Sequence, residues 1–111
     1  MTAATLDRFF AAVSHPTRRE ILDRLAGATA RVTDLAGEFP ISLNATSRHV
    51  KVLEEAGLVR RDVRGREHFL SLDAEPFAEA ATWTDHYRRF WNDQLASLDA
   101  FVTAGAAQDT P

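Results

Sequence analysis

Asn44, Ser47, Arg48 and Lys51 recur at the spacing that gathers side chains on one face of a helix. Thr46, Val50 and Leu53 take the opposite face at i, i+4 and i+7. Short hydrogen-bonding groups followed by two cations suit base edges and the phosphates beside them. Farther along, Arg64 and Arg66 flank Gly65, so a tight turn there would carry two guanidinium groups at its tip. Catalytic chemistry has no such concentration. The chain has no cysteine, which excludes disulfides, thiolate metal sites and cysteine nucleophiles. It has no glycine-rich phosphate loop and no nucleophile motif. Glu54 and Glu55 are adjacent on a helix and so diverge.

These residues need elements to hold them. Leu6, Phe9, Phe10 and Val13 predict a first helix from about Thr5 to Val13. Pro16 suits the first position of a second helix, with Ser14 or His15 as its cap, Ile21, Leu22 and Leu25 as its buried stripe and Gly27 as its end. A third helix is expected after Thr33, through Leu35, Ala36 and Phe39, stopped by Pro40. Ser42 then caps a fourth, Leu43 to about Ala56, and Gly57 terminates it. Strands follow from Leu58 to about Val63 and from Arg66 or Glu67 to Leu72. Pro76 opens a long last helix to about Val102. The stretch from Ala104 to Pro111 lacks apolar periodicity and is expected to be a disordered tail. The fold class is therefore mainly α with a small β-hairpin, in the order α-α-α-α-β-β-α. Two short helices joined by a tight turn and followed by a two-stranded wing form a winged helix-turn-helix.

With 111 residues there is room for one domain. The formal charge of −3 argues at first against a nucleic-acid partner, but phosphate contacts are made by a patch. From Ser42 to Arg66 the charge is +3, and the rest of the chain carries −6. Nothing approaches the roughly 20 apolar residues of a membrane span. The first residues lack the basic and apolar runs of a secretory signal, so a cytoplasmic location is expected.

The segments His15-Pro16-Thr17-Arg18-Arg19-Glu20-Ile21-Leu22, Ser47-Arg48-His49-Val50-Lys51-Val52-Leu53 with Ala56-Gly57-Leu58-Val59, and Arg64-Gly65-Arg66-Glu67 together resemble the ArsR family of winged-helix repressors. The resemblance spans roughly Leu6 to Leu72. It implies a homodimeric repressor of double-stranded DNA. Asn44, Ser47, Arg48, His49 and Lys51 would meet DNA from the recognition helix, and Arg64 and Arg66 from the wing. The first and last helices would form the dimer interface through Leu6, Phe9, Phe10, Val13, Trp83, Tyr87, Phe90, Trp91, Leu95 and Leu98. The chain departs from the metal-sensing members. Arg31-Val32-Thr33-Asp34 stands where they often carry a cysteine pair, and no histidine follows Asp85 and His86. No metal and no cofactor are expected.

Plainer readings stand beside these. His15 reads as a cap, and His68 and His86 as surface or interface residues. Arg60 and Arg61 are as readily strand residues as phosphate contacts, and Arg18 and Arg19 lie on a solvated helix face. Trp83, Tyr87, Phe90 and Trp91 form an aromatic stripe at helical spacing, which belongs to an interface before it belongs to a ligand pocket. An effector would be a small molecule or none. The rival function is a winged helix that docks a protein partner through its aromatic last helix.

Overall fold

The computed structural model describes residues 2–108. They form two compact units, one up to Ala80 and one from Ala81 on. The first holds helices α1 (Ala3–Val13), α2 (Pro16–Gly27), α3 (Val32–Glu38) and α4 (Leu43–Glu55). It also holds strands β1 (Ala30–Arg31), β2 (Val59–Arg64) and β3 (Glu67–Leu72). Helix α5 (Glu75–Gln108) begins in this unit and supplies the second.

Capping sets the helix starts. The Thr2 hydroxyl accepts the Thr5 N–H at 3.2 Å, and the Ser42 hydroxyl accepts that of Ala45 at 3.1 Å. Pro16 sits at the first turn of α2, and the preceding His15 caps it by accepting the Thr17 N–H on Nδ1 at 3.1 Å. The expected cap of α3 is corrected. Thr33 lies inside the helix, and Arg31 precedes it. The Asp34 carboxylate reaches back to accept the Arg31 backbone N–H at 3.0 Å and also takes two bonds from the Arg31 guanidinium. Those bonds hold the Asp34 carboxyl below the usual carboxylate range.

The sheet has one strand more than the hairpin expected. Two residues, Ala30 and Arg31, pair antiparallel with Leu70 and Phe69, giving the order β1-β3-β2. The hairpin runs in register from Val59↔Leu72 to Arg64↔Glu67. Its turn places Gly65 at φ +65, where an L side chain would be strained, so this glycine is what permits a two-residue connection. Gly57, at φ +78, ends α4 in the same left-handed region.

Ile21, Leu35, Val50, Leu53, Leu58 and Leu70 are fully buried and knit α2, α3, α4 and the sheet together. Each large apolar side chain so buried contributes about 1.5–3 kcal/mol relative to exposure. Phe9 joins this core, packing edge-on against Phe77 with ring centroids 5.4 Å apart. Thr46 is buried too, its hydroxyl donating to the Ser42 carbonyl at 2.9 Å. Beyond Val59 every residue of β2 is exposed, so the hairpin projects as a wing.

The last helix outruns its expected end at Val102. Residues 104–108, expected in a tail, are helical, and Asp109 to Pro111 lie outside the described residues. Alanine is the strongest helix former, and Ala104, Ala106 and Ala107 carry the helix past Gly105. Among the described residues no helix is long and apolar enough to cross a membrane.

Candidate nucleic-acid interface

Helix α4 divides as the wheel requires. Thr46, Val50 and Leu53 are buried, while Asn44, Ser47, Arg48 and Lys51 are exposed. The buried face fixes the rotation of the helix against α3, β2 and α2, so the exposed face is held by packing and not by its own contacts. Arg48 and Lys51 make no ion pair among the described residues, so both cations are available to an incoming anion.

His49 stands apart from these four. It is half-buried on the flank of α4, its ring 4.5 Å from that of His15 at the start of α2. Burial first, then His15, Arg18 and Arg48, hold its pKa below the ordinary histidine value. A ring that resists protonation and packs at a tilt against a capping histidine is placed to set the spacing of α2 and α4.

The wing arginines also differ from each other. Arg64 is held on the hairpin by Asp62 at 2.9 Å, and its guanidinium lies 5.1 Å from the centre of the Phe69 ring. Arg66 makes no ion pair among the described residues and is exposed. The wing is tied to α4 by Arg61. Its guanidinium donates to both oxygens of Glu54 near the end of α4 and, at 2.9 Å, meets Nδ1 of His68 on β3. The carboxylate of Glu54 in turn raises the Arg61 pKa. Arg60 pairs with Asp73 at 3.1 Å. Both arginines are strand residues with carboxylate partners within the chain, as Arg64 also is.

Two roles had no local signal in the sequence. Arg18 donates to the carbonyls of Ala12 at 2.6 Å and Ala11 at 3.0 Å, and Arg19 to that of Val13 at 2.7 Å. They satisfy the end of α1, where unpaired carbonyls and the helix dipole favour a cation. The solvated face expected of them omits this work. The His15–His49 contact joins residues 34 positions apart, and only the packing of α2 on α4 brings them together.

Among the residues expected at a dimer interface, Phe9 is buried in the core just described, and Leu6 and Val13 pack against it half-buried. Phe10 is exposed on α1. On α5, Trp83, Tyr87, Phe90, Trp91, Leu95 and Leu98 are all exposed, as are Phe101 and Val102 beyond them. No group of three or more histidine, aspartate or glutamate side chains suited to a metal occurs among the described residues.

Comparison with known proteins agrees with this geometry. The helix-turn-helix domain family matches residues 13–62, a span that runs from the last residue of α1 into β2 of the wing. The HTH-type transcriptional regulator Rv2034 of Mycobacterium tuberculosis is 38% identical over 86% of this chain and 87% of its own length. The transcriptional repressor SdpR of Bacillus subtilis is 32% identical over 70% of this chain and 87% of its own. Among solved structures, an ArsR-like transcriptional regulator from Rhodococcus sp. RHA1 superposes with a TM-score of 0.73 at 31% identity, covering 88% of this chain and 92% of that one. Another ArsR family regulator reaches a TM-score of 0.76 at 30% identity, over 83% of this chain and 95% of its own. With its helix-turn-helix, its wing and these relatives, this chain belongs to the ArsR family of winged helix-turn-helix, DNA-binding transcriptional regulators.

Proposed function

We propose that the protein is a homodimeric repressor that binds a pseudo-palindromic operator in the cytoplasm. The observation that carries this reading is α4 itself. Its apolar face is locked in the core, and Asn44, Ser47, Arg48 and Lys51 stand exposed on the other. Asn44 and Ser47 lie near the N-terminus of α4, the end that approaches base edges when a recognition helix enters the major groove. Arg48 and Lys51 follow as base or phosphate contacts, and Arg66 with Arg64 extends the contact from the wing. His49 takes a positioning role, holding α4 against His15. Homodimerisation is supported by the exposed apolar stripe of α5 and by Phe10, a surface that a monomer would leave in water. Two recognition helices would then read half-sites about one helical turn, roughly 10 base pairs, apart or a small multiple of that. Repression is supported by the name of the Bacillus subtilis relative and follows from occupying promoter DNA.

The test is binding of the purified protein to its own upstream DNA and to a scrambled duplex, each at two salt concentrations. The expected result is tight binding to the upstream fragment alone, weakening steeply with salt. Arg48→Ala should weaken it by about 1–3 kcal/mol. Absence of binding to either duplex at low salt overturns the proposal in favour of a protein-docking winged helix.

A further inference from the structure

Among the described residues, seven of the thirteen lysines and arginines pair with carboxylates, which leaves six that do not. Four of those six, Arg8, Arg18, Arg48 and Lys51, line a single trough between α1, α2 and α4. The trough consists of two adjoining hollows of about 580 and 510 Å³ that share Arg18, Val52 and Glu55 as walls. Either hollow is of the size that takes a small organic molecule. The α4 residues that line it run from Ala45 to Glu55, which is roughly 15 Å of helix, and Ala56 follows them.

The lining has two chemistries. Ala11, Ala12, Val52 and Ala56 make an apolar floor, and the cations stand around it. Arg18 is already oriented by the carbonyls of Ala11 and Ala12 at the end of α1, which set no full negative charge against it. Against four cations there is one carboxylate, Glu55, shared by both hollows. A concentration of positive charge on a chain of net charge −3 calls for an anion. A central glutamate and an apolar floor disfavour a continuous run of phosphates and suit a molecule with one charged end and a hydrophobic body.

We propose that this trough is an effector site for an organic anion with an apolar body, a carboxylate or sulfonate carried on a ring or short chain. This rests on the reading of α4 as the DNA-binding helix. Arg48 and Lys51 belong both to the exposed face of α4 and to the trough wall, so an anion seated there occupies the cations that DNA needs. Effector and operator therefore compete, and occupancy releases the DNA.

The experiment uses the full chain, its upstream duplex and anilinonaphthalene sulfonate, a fluorescent aromatic sulfonate, as the probe. Probe at ten times its dissociation constant should weaken operator binding by about tenfold. Arg8→Gln, an exposed residue outside the DNA-facing set, should leave operator binding unchanged without probe and reduce probe affinity by about tenfold. Val52→Gln should likewise reduce probe affinity while Arg66→Gln leaves it unchanged, and inorganic phosphate at the same concentration should displace little DNA. Three outcomes overturn the proposal. Loss of operator affinity in Arg8→Gln itself, with a lower salt slope, makes the trough a path for DNA phosphates. Equal competition by phosphate makes it a bare charge patch. Probe fluorescence that is unchanged in both Arg8→Gln and Val52→Gln puts the probe elsewhere. Should the wild-type chain bind no duplex, the DNA reading fails by itself, and fluorescence of wild type against Arg8→Gln still decides the trough.

Discussion

In α4 the face of Thr46, Val50 and Leu53 is buried and Asn44, Ser47, Arg48 and Lys51 are exposed, whereas from Trp83 onward α5 presents a run of large apolar side chains to solvent. Val50 and Leu53 are fully buried, but Trp91 is 61% exposed and Leu98 58%. The two helices therefore solve different problems. One face of α4 is packed within the chain, and outward, beside Leu43 and Val52, it offers polar side chains fixed in orientation. The later part of α5 has its apolar surface unfinished, and exposed patches of that kind mark a surface meant for another surface. On the proposed reading, stability resides in the first region and assembly in the second.

The sharpest way to break this comparison is to truncate the same residue type in both regions. Leu53→Ala removes buried methyl groups from a site with no solvent exposure, and a loss of about 2–5 kcal/mol in urea unfolding is expected. Leu98→Ala, more than half exposed, should change the unfolding of the isolated chain by no more than about 0.5 kcal/mol. A comparable loss at Leu98 at low protein concentration would mean that α5 is core and not interface.

Next in size is the effect of Trp91→Ala on association. Buried aromatic anchors dominate interfaces, and removing one costs about 2 kcal/mol or more, roughly a thirtyfold rise in the dissociation constant. Sedimentation across a concentration series reads it directly. A monomer in both wild type and variant would remove the dimer from the proposal and leave α5 to a different protein partner.

Much of this division was legible in the sequence, and the reason is periodicity. The i, i+4, i+7 pattern of Thr46, Val50 and Leu53 states which way α4 must turn, and the Ser42 cap and Gly57 bracket it. The hairpin followed from Gly65. What escaped were features that depend on distant partners. A two-residue strand at Ala30–Arg31 has no pattern of its own and exists because β3 offers an edge. Asp34 begins α3 by reaching back to the Arg31 backbone N–H as the N3 residue of a capping box, but with an arginine where the rule expects a hydroxyl. Phe9 and Phe10 are adjacent and chemically alike, yet one is buried against Phe77 and the other is more than a third exposed. Only tertiary packing separates them. The exposed polar face was therefore easier to read than its supports, since the residues of such a face declare themselves by type and spacing and bracing residues by contact.

A smaller effect is expected where α4 is tied to the wing. Glu54 and Arg61 are about a quarter exposed, and partly exposed pairs contribute modestly, so Glu54→Gln should cost about 1 kcal/mol or less of stability. Its consequence for DNA should be larger in proportion. Without the carboxylate Arg61 no longer holds the wing to the end of α4, and the contacts of Arg64 and Arg66 lose their fixed origin. Operator affinity should fall several-fold with little change in unfolding midpoint. Equal losses in both measurements would make the pair a stabiliser only.

The smallest effect concerns His49, and it separates the positioning role from a phosphate contact. Burial and the neighbours His15, Arg18 and Arg48 lower its pKa in the folded chain, so the unfolded chain takes up the proton first as pH falls. Stability then rises with pH wherever the unfolded state binds more protons. The contribution of His49 is thus full above the ordinary histidine pKa of about 6.5, and it is lost as pH drops from there through the folded value. The lowered carboxyls of Asp34 and Asp73 act in a separate, more acidic window: their stabilisation is present above the unfolded carboxylate pKa and lost as pH falls through the folded one. His49→Gln should therefore flatten the stability profile just below neutrality and leave the acid limb in place. Operator affinity over the same pH range carries the second half of the test. A ring turned toward His15 takes up no proton on DNA binding, so wild type and His49→Gln should show parallel profiles. Binding that tightens on acidification in the wild type alone would put the His49 ring on a phosphate, because an adjacent anion favours the protonated form.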